Sequence, residues 1–175
     1  VYCGGTLCHG ISGPADDPAS LRHVVLAEYA GTHDYSIQST GDVAHVVYAG
    51  RGPGNPVMIY RTWTEAGGWS APESVGATTT HATALGVDLD ANVWVFYARG
   101  DTVTYRVRRP GSDEFGAVRC ATRIRPLESA AYAWLAAASP APGGLAALLW
   151  VERPSERFEL KFKTFDLDSP DDGCG

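Results

Sequence analysis

Residues Gly86–Gly100 read GVDLDANVWVFYARG, and how they are read decides the fold. Asp88, Asp90 and Asn92 at alternate positions match the opening of a calcium loop, or a pair of catalytic carboxylates. An EF-type loop also needs a glycine directly after the third ligand and a glutamate six residues later. Val93 and Arg99 occupy those two positions. Asp and Asn are equally at home in tight turns, where they tolerate left-handed backbone angles and bond their own main chain. The run behind them, VWVFYA, is aromatic and β-branched, as strands prefer. The stretch therefore predicts a hairpin turn with a core strand behind it.

The same pattern recurs along the chain. HDYSIQSTGDVAHVVYAGR, from His33, aligns with HATALGVDLDANVWVFYAR, from His81, placing Tyr48 over Tyr97. IYRTW then aligns with TYRVR, with Tyr60 over Tyr105, and GGWSAPESV aligns with DEFGAVRCA, with Trp69 over Phe115. A third, more divergent copy supplies YAWLAAASP, LAALLWVER and RFELKFKTF from Tyr132. Copies of roughly 40–50 residues, each made of short strands, are the mark of propeller blades.

Each copy holds a small or apolar first strand, a very apolar second strand, an alternating third strand and, in the first two copies, an outer fourth. In RFELKFKTF, Phe158, Leu160 and Phe162 alternate with Glu159, Lys161 and Lys163, which predicts a half-buried strand. The alanine-rich segment Ala130–Ala138 has a competing helical reading. The expectation is an all-β chain with about three blades of four antiparallel strands. Residues 1–20 would be a cysteine-containing extension, 21–168 the three-bladed segment and 169–175 a tail. The strand Leu21–Tyr29 would complete a blade in its own chain or in a partner. Three blades do not close a ring, so either a homodimer or the remainder of a larger propeller is expected.

Composition agrees with a globular β-protein. The chain has 175 residues, 45% of them hydrophobic and 19% charged, which suits one domain with a real core. Twenty glycines and 11 prolines imply many turns. Net charge is −6 with no basic face, which argues against nucleic acid. The apolar segment Ala130–Val151 is interrupted by Pro140, Pro142, Gly143 and Gly144, so no membrane span is expected.

The order of an Asp/Asn/Gly turn, a V-x-V-x-Y strand, an I-Y-R strand and G-W-S-x-P-E-x-V resembles the repeats of sialidase-like and related lectin-like propellers. The likeness covers about Asp34 to Asp168. The Asp-box of that group, S-x-D-x-G-x-T-W, is absent in strict form, since Asp88–Trp94 reads DLDANVW. Sialidases resemble one another in an arginine triad, an aspartate acid/base and a tyrosine nucleophile, with the first arginine opening an inner strand. Here the inner strands open with Tyr35, Thr83 and Tyr132. Tyr48, Tyr60, Tyr97 and Tyr105 recur in repeat register, which marks them as packing residues. No catalytic residue, cofactor or metal is assigned, and the chain is read as a non-enzyme. A sialidase-like glycoside hydrolase and a structural subunit of a larger propeller are the alternatives.

The resemblance implies a ligand face built from connecting loops, holding glycan or protein. His33 and His81 lie on connections into inner strands, and Arg51, Arg99 and Arg153 each follow a second strand. Such a ring suits an anionic group through bidentate contacts. The competing reading is that these loop arginines are simply solvated. Trp63 and Trp69 could stack on sugar rings or pack at strand ends.

Four cysteines, Cys3, Cys8, Cys120 and Cys174, allow three pairings. CGGTLCHG fits a rare haem-attachment spacing, against the plainer reading of disulfides Cys3–Cys8 and Cys120–Cys174. The disulfide reading implies a secreted or cell-surface setting. The start VYCGG, without Met, leads to the expectation of a processed chain. The tail SPDDGCG resembles the lead-in to the sorting tails of myxobacterial surface proteins.

Overall fold

A computed structural model of the chain describes residues 2–4, 7–12, 22–28, 35–51, 56–78, 82–124, 135–138, 145–152, 158–166 and 174. Every regular element among them is a β-strand. The strands β1 (Tyr2–Gly4), β2 (Leu7–Ser12) and β3 (Arg22–Glu28) form a first sheet in that order. The second sheet runs β4 (Tyr35–Thr40), β5 (Val43–Arg51) and β6 (Pro56–Thr64), with its outer position shared by β7 (Gly68–Trp69) and β8 (Glu73–Ala77). The third runs β9 (Thr83–Val87), β10 (Val93–Arg99), β11 (Thr102–Arg108) and β12 (Arg119–Arg123). The fourth contains β13 (Leu135–Ala138), β14 (Leu145–Glu152) and β15 (Glu159–Asp166). All pairings are antiparallel. This is the expected all-β architecture of propeller-type blades.

The opening stretch is a turn. The Asp88 amide donates to the Asn92 carbonyl at 3.1 Å, and Ala91 takes a positive φ of 59°. The buried Asp88 carboxylate accepts from the Asn92 amide at 2.7 Å and its side-chain nitrogen at 2.9 and 3.1 Å. It also accepts from the Trp94 indole at 3.2 Å. Both oxygens are thus engaged in fixing the hairpin and the first core residue after it. The strand behind it, Val93 to Ala98, is buried on both faces.

That double burial comes from sheets stacked face to face. One face of the second sheet, with Val47, Met58 and Tyr60, packs on Leu85, Val87, Val95, Tyr97 and Phe115 of the third. Ser36 and Gln38 on the same face accept from the Leu85 and Val87 amides at 3.2 and 2.9 Å. The opposite face of the third sheet, with Trp94, Phe96, Val103 and Tyr105, packs on Leu148, Trp150 and Phe165 of the fourth. Phe165 lies 5.6 Å, ring to ring, from both Phe96 and Tyr105. Each such side chain contributes about 1.5–3 kcal/mol by leaving water. The repeat tyrosines Tyr48, Tyr60, Tyr97 and Tyr105 are all buried, as packing residues should be.

Three details depart from the sequence-based expectation. The strand placed at Leu21–Tyr29 is β3, and it pairs with β2, so the 20/21 division falls within one sheet. The segment LAALLWV is central, as expected, but Leu148 and Trp150 are buried while Ala147, Leu149 and Val151 are only partly so. On β15 the apolar and charged faces are reversed: Leu160 and Phe162 are 69% and 63% exposed, while Lys161 and Lys163 are half-buried. Period two identifies two faces of a strand but not which one meets a neighbour. Residues 135–138 are strand, and residues 130–134 lie outside the described ones.

Candidate functional site

The expected ring of loop residues is only partly in view. His33, His81 and Arg153 lie outside the described residues, and of Arg51 only the backbone, opposite Pro56 at the end of β5, is described. Arg99 is exposed at the β10–β11 turn, where its carbonyl accepts from the Thr102 hydroxyl at 2.8 Å and Gly100 has φ +64°.

A denser polar constellation lies in the seam between the second and third sheets. It gathers His45 from β5, Tyr60 from β6, Glu73 from β8 and Arg108 from β11. Strand register explains the juxtaposition. Tyr60 stands opposite both Val47 and Glu73, so alternation puts His45, Tyr60 and Glu73 on one face. Arg108, opposite Val93, projects from the facing side of the third sheet. Its guanidinium contacts the Glu73 carboxylate at 2.9 Å, each side chain being 26% exposed. It also lies 5.6 Å from the Tyr60 ring centroid and donates to the Ser112 carbonyl at 2.9 Å. Phe115 meets Tyr60 edge-on at 5.2 Å.

His45 and Tyr60 form the floor. The His45 Nδ1 is 2.6 Å from the Tyr60 hydroxyl, and its Nε2 is 2.9 Å from the Thr40 hydroxyl. In the neutral ring one nitrogen donates and the other accepts, so both contacts are satisfied. Burial lowers the His45 pKa below its usual 6.5, and the nearby Arg108 charge adds to this. Burial pushes the Tyr60 phenol up to about 12, against the opposing pull of Arg108. The floor is therefore uncharged at neutral pH, and the rim carries one cation and one anion.

Basic side chains also tie neighbouring sheets together. Arg106 donates to the Val75 carbonyl of the second sheet, and to the Gly116 and Phe115 carbonyls at 2.6 and 2.7 Å. Lys163 of the fourth sheet donates to the Ala121 carbonyl of the third at 3.2 Å. On the other face of the second sheet Trp63 stands opposite Trp69, and the Arg61 guanidinium lies 5.6 Å from the Trp69 ring. Trp69 packs against the core, and its indole N–H is buried without a hydrogen-bond partner. Among the described residues no cluster of His, Cys, Asp or Glu is placed to hold a metal ion. No helix among them is long and apolar enough to cross a membrane.

The only residue type in the seam that sequence alone pointed to was tyrosine, through its repeat register. His45, Glu73 and Arg108 had no local signal: they come from three strands on two sheets. His45 did carry one trace, because its register equivalent in the next sheet is Trp94 (His45 opposite Thr62, Trp94 opposite Val107). The same position in the fourth sheet is Ala147, so the second sheet alone of these three carries a polar side chain there.

Solved structures place the fold. A variant of the lectin of Aleuria aurantia, in complex with Fucalpha1-6GlcNAc, matches with a TM-score of 0.53 at 16% identity. The same lectin in complex with alpha-methyl-L-fucoside matches with a TM-score of 0.54, also at 16% identity. The likeness is one of fold: antiparallel sheets arranged as propeller-type blades. The match covers 82% of this chain and 47% of the lectin chain, so the chain spans about half the length of the structures it resembles. No protein-family model matches the sequence, and no curated protein does. The disulfide Cys120–Cys174 ties the tail to outer strand β12 across 54 residues. Backbone register puts Cys3 opposite Cys8 in the β1–β2 hairpin.

Proposed function

We propose that this chain is a non-catalytic, glycan-binding propeller lectin segment that works outside the cytoplasm. The observation that carries the reading is the Arg108–Glu73 pair over Tyr60, partly exposed in a seam between two blades. A guanidinium and a carboxylate side by side offer donors and acceptors to vicinal sugar hydroxyls. The likeness to lectins solved with fucosides supports fucosylated glycans as the first ligands to try. The Cys120–Cys174 bridge supports an oxidising, secreted or cell-surface setting. The loop residues His33, His81, Arg51, Arg99 and Arg153 are the second candidate surface, and ring completion by further blades belongs to the same reading.

A glycan array run beside a panel of fluorogenic glycosides tests this. Saturable binding to a defined glycan, without turnover, is expected. Turnover of any glycoside, or an array without a hit, overturns it. Loss of binding in Arg99→Ala but not in Glu73→Gln would move the site to the loop face.

A further inference from the structure

We propose that Arg106 is a positioning residue for the seam site: by holding a bulge in outer strand β8 it sets Glu73 against Arg108, and so tunes glycan affinity without touching the glycan. The inference rests on the reading of that pair as the ligand site. Its first support is a repeat in register. Arg61 stands opposite Val46, Arg106 opposite Val95 and Lys163 opposite Leu148, so β6, β11 and β15 carry a basic residue at one shared position. A contact within the sheet recurs with it: the Arg61 Nε donates to the Ser70 carbonyl at 2.7 Å, and the Arg106 Nε to the Gly116 carbonyl at 2.6 Å. Arg106 and Lys163 also reach the preceding sheet, at the Val75 and Ala121 carbonyls.

Those two carbonyls are equivalent as well. The β6–β8 ladder passes from Ile59–Ser74 to Met58–Gly76 and leaves Val75 over. The β11–β12 ladder passes from Thr104–Cys120 to Val103–Thr122 and leaves Ala121 over. Val75 and Ala121 are both fully buried. A bulged residue drops out of its ladder, and a buried carbonyl needs a donor. The basic side chain of the following sheet supplies it. The clamp therefore belongs to the fold and recurs in both seams.

What differs between the seams is the next rung. Two residues beyond the clamp, on the same strand face, β11 carries Arg108 and β15 carries Phe165. Two residues before the bulge, β8 carries Glu73 and β12 carries Arg119. The first combination is the ion pair of the ligand site. In the second, Phe165 is 5% exposed within the aromatic cluster. Glu73 opens a five-residue strand paired along β6, so its place relative to the third sheet depends on what grips β8 from that side. Arg106 at Val75 is that grip, one rung from Arg108 at Glu73.

Calorimetric titration with alpha-methyl-L-fucoside, beside side-chain NMR of the ligand-free chain, tests the proposal. Arg106→Met should weaken binding about tenfold, the order expected from losing the pair itself. Arg106→Lys copies the clamp of the fourth sheet and should stay within about threefold of the parent. Lys163→Met opens the equivalent clamp at the seam without the pair and should bind as the parent does. In a Glu73→Gln background, Arg106→Met should add little further loss, a non-additivity that general destabilisation would not give. The Arg108 guanidinium N–H signals should be present in the parent and in Arg106→Lys, and lost to solvent exchange in Arg106→Met. In the parent, where no variant has to fold, the Arg108 guanidinium protons should exchange no more slowly than those of Arg106. If the fucoside does not bind, the reading of the site fails, and these signals still decide whether Arg106 sets the pair. Arg108 signals that persist in Arg106→Met, additive losses, an equal loss in Lys163→Met, no rescue by lysine, or slower exchange at Arg108 than at Arg106 would each overturn it.

Discussion

Arg108 and Glu73 meet at 2.9 Å across the seam between two sheets, 35 residues apart in sequence. If this pair grips a sugar, neutralising either member removes a charge-assisted hydrogen bond from the ligand. Such bonds contribute about 1.5–3 kcal/mol, or roughly 10- to 100-fold in affinity. Glu73→Gln and Arg108→Gln should therefore each weaken glycan binding by at least about tenfold. The pair is partly exposed, so its effect on folding stability should stay below about 1 kcal/mol. Calorimetric titration and thermal melts on the same samples separate the two effects.

His45 makes the fold sensitive to mild acid. Its pKa in the folded chain lies below the ordinary 6.5, so the unfolded chain binds a proton more readily. Its contribution to stability is complete above pH 6.5 and is lost as pH falls from there through the folded pKa. Protonation would leave both ring nitrogens as donors, removing the acceptor that one of the two hydroxyls uses, and would place a second cation near Arg108. Melting temperature measured from pH 8 to pH 5 should fall more steeply for the parent chain than for His45→Gln. Parallel profiles would remove His45 as the cause.

Outer strand β8 passes very close to the third sheet. A methyl group at Gly76 would lie 2.6 Å from the Tyr97 hydroxyl oxygen. Gly76→Ala should therefore destabilise the fold by about 1–3 kcal/mol, the usual cost of overpacking. Adding Tyr97→Phe removes that oxygen and should recover part of the loss, so the two substitutions should be non-additive in urea unfolding.

The Cys120–Cys174 bridge closes a loop with a separation of 54 residues. Chain-entropy reasoning assigns such a cross-link about 4 kcal/mol. Replacing both cysteines by serine should lower the denaturant midpoint accordingly, and dithiothreitol should reproduce the shift in the parent chain. An unchanged midpoint would mean that the tail adds nothing to folding.

Much of the architecture can be read from local pattern alone. The continuous apolar runs of β5 and β10, period two in β15, the Asp88–Asn92 turn and the recurrence of Tyr48, Tyr60, Tyr97 and Tyr105 are encoded over a few residues each. Strand propensity, alternation and turn chemistry act over those distances, so the blades and their order follow from sequence. The pairing of β3 with β1 and β2 did not, because residues 1–28 carry no segment that aligns with the repeats. Nor did the orientation of β15, whose two faces are distinguishable in sequence but whose covering neighbour lies on another sheet. The seam site shows the same limit. His45, Tyr60, Glu73 and Arg108 are brought together by the stacking of two sheets, and the burial that lowers the pKa of His45 exists only once they are stacked. Alternation along one strand specifies what each face offers, and only the packing of whole sheets decides what each face meets.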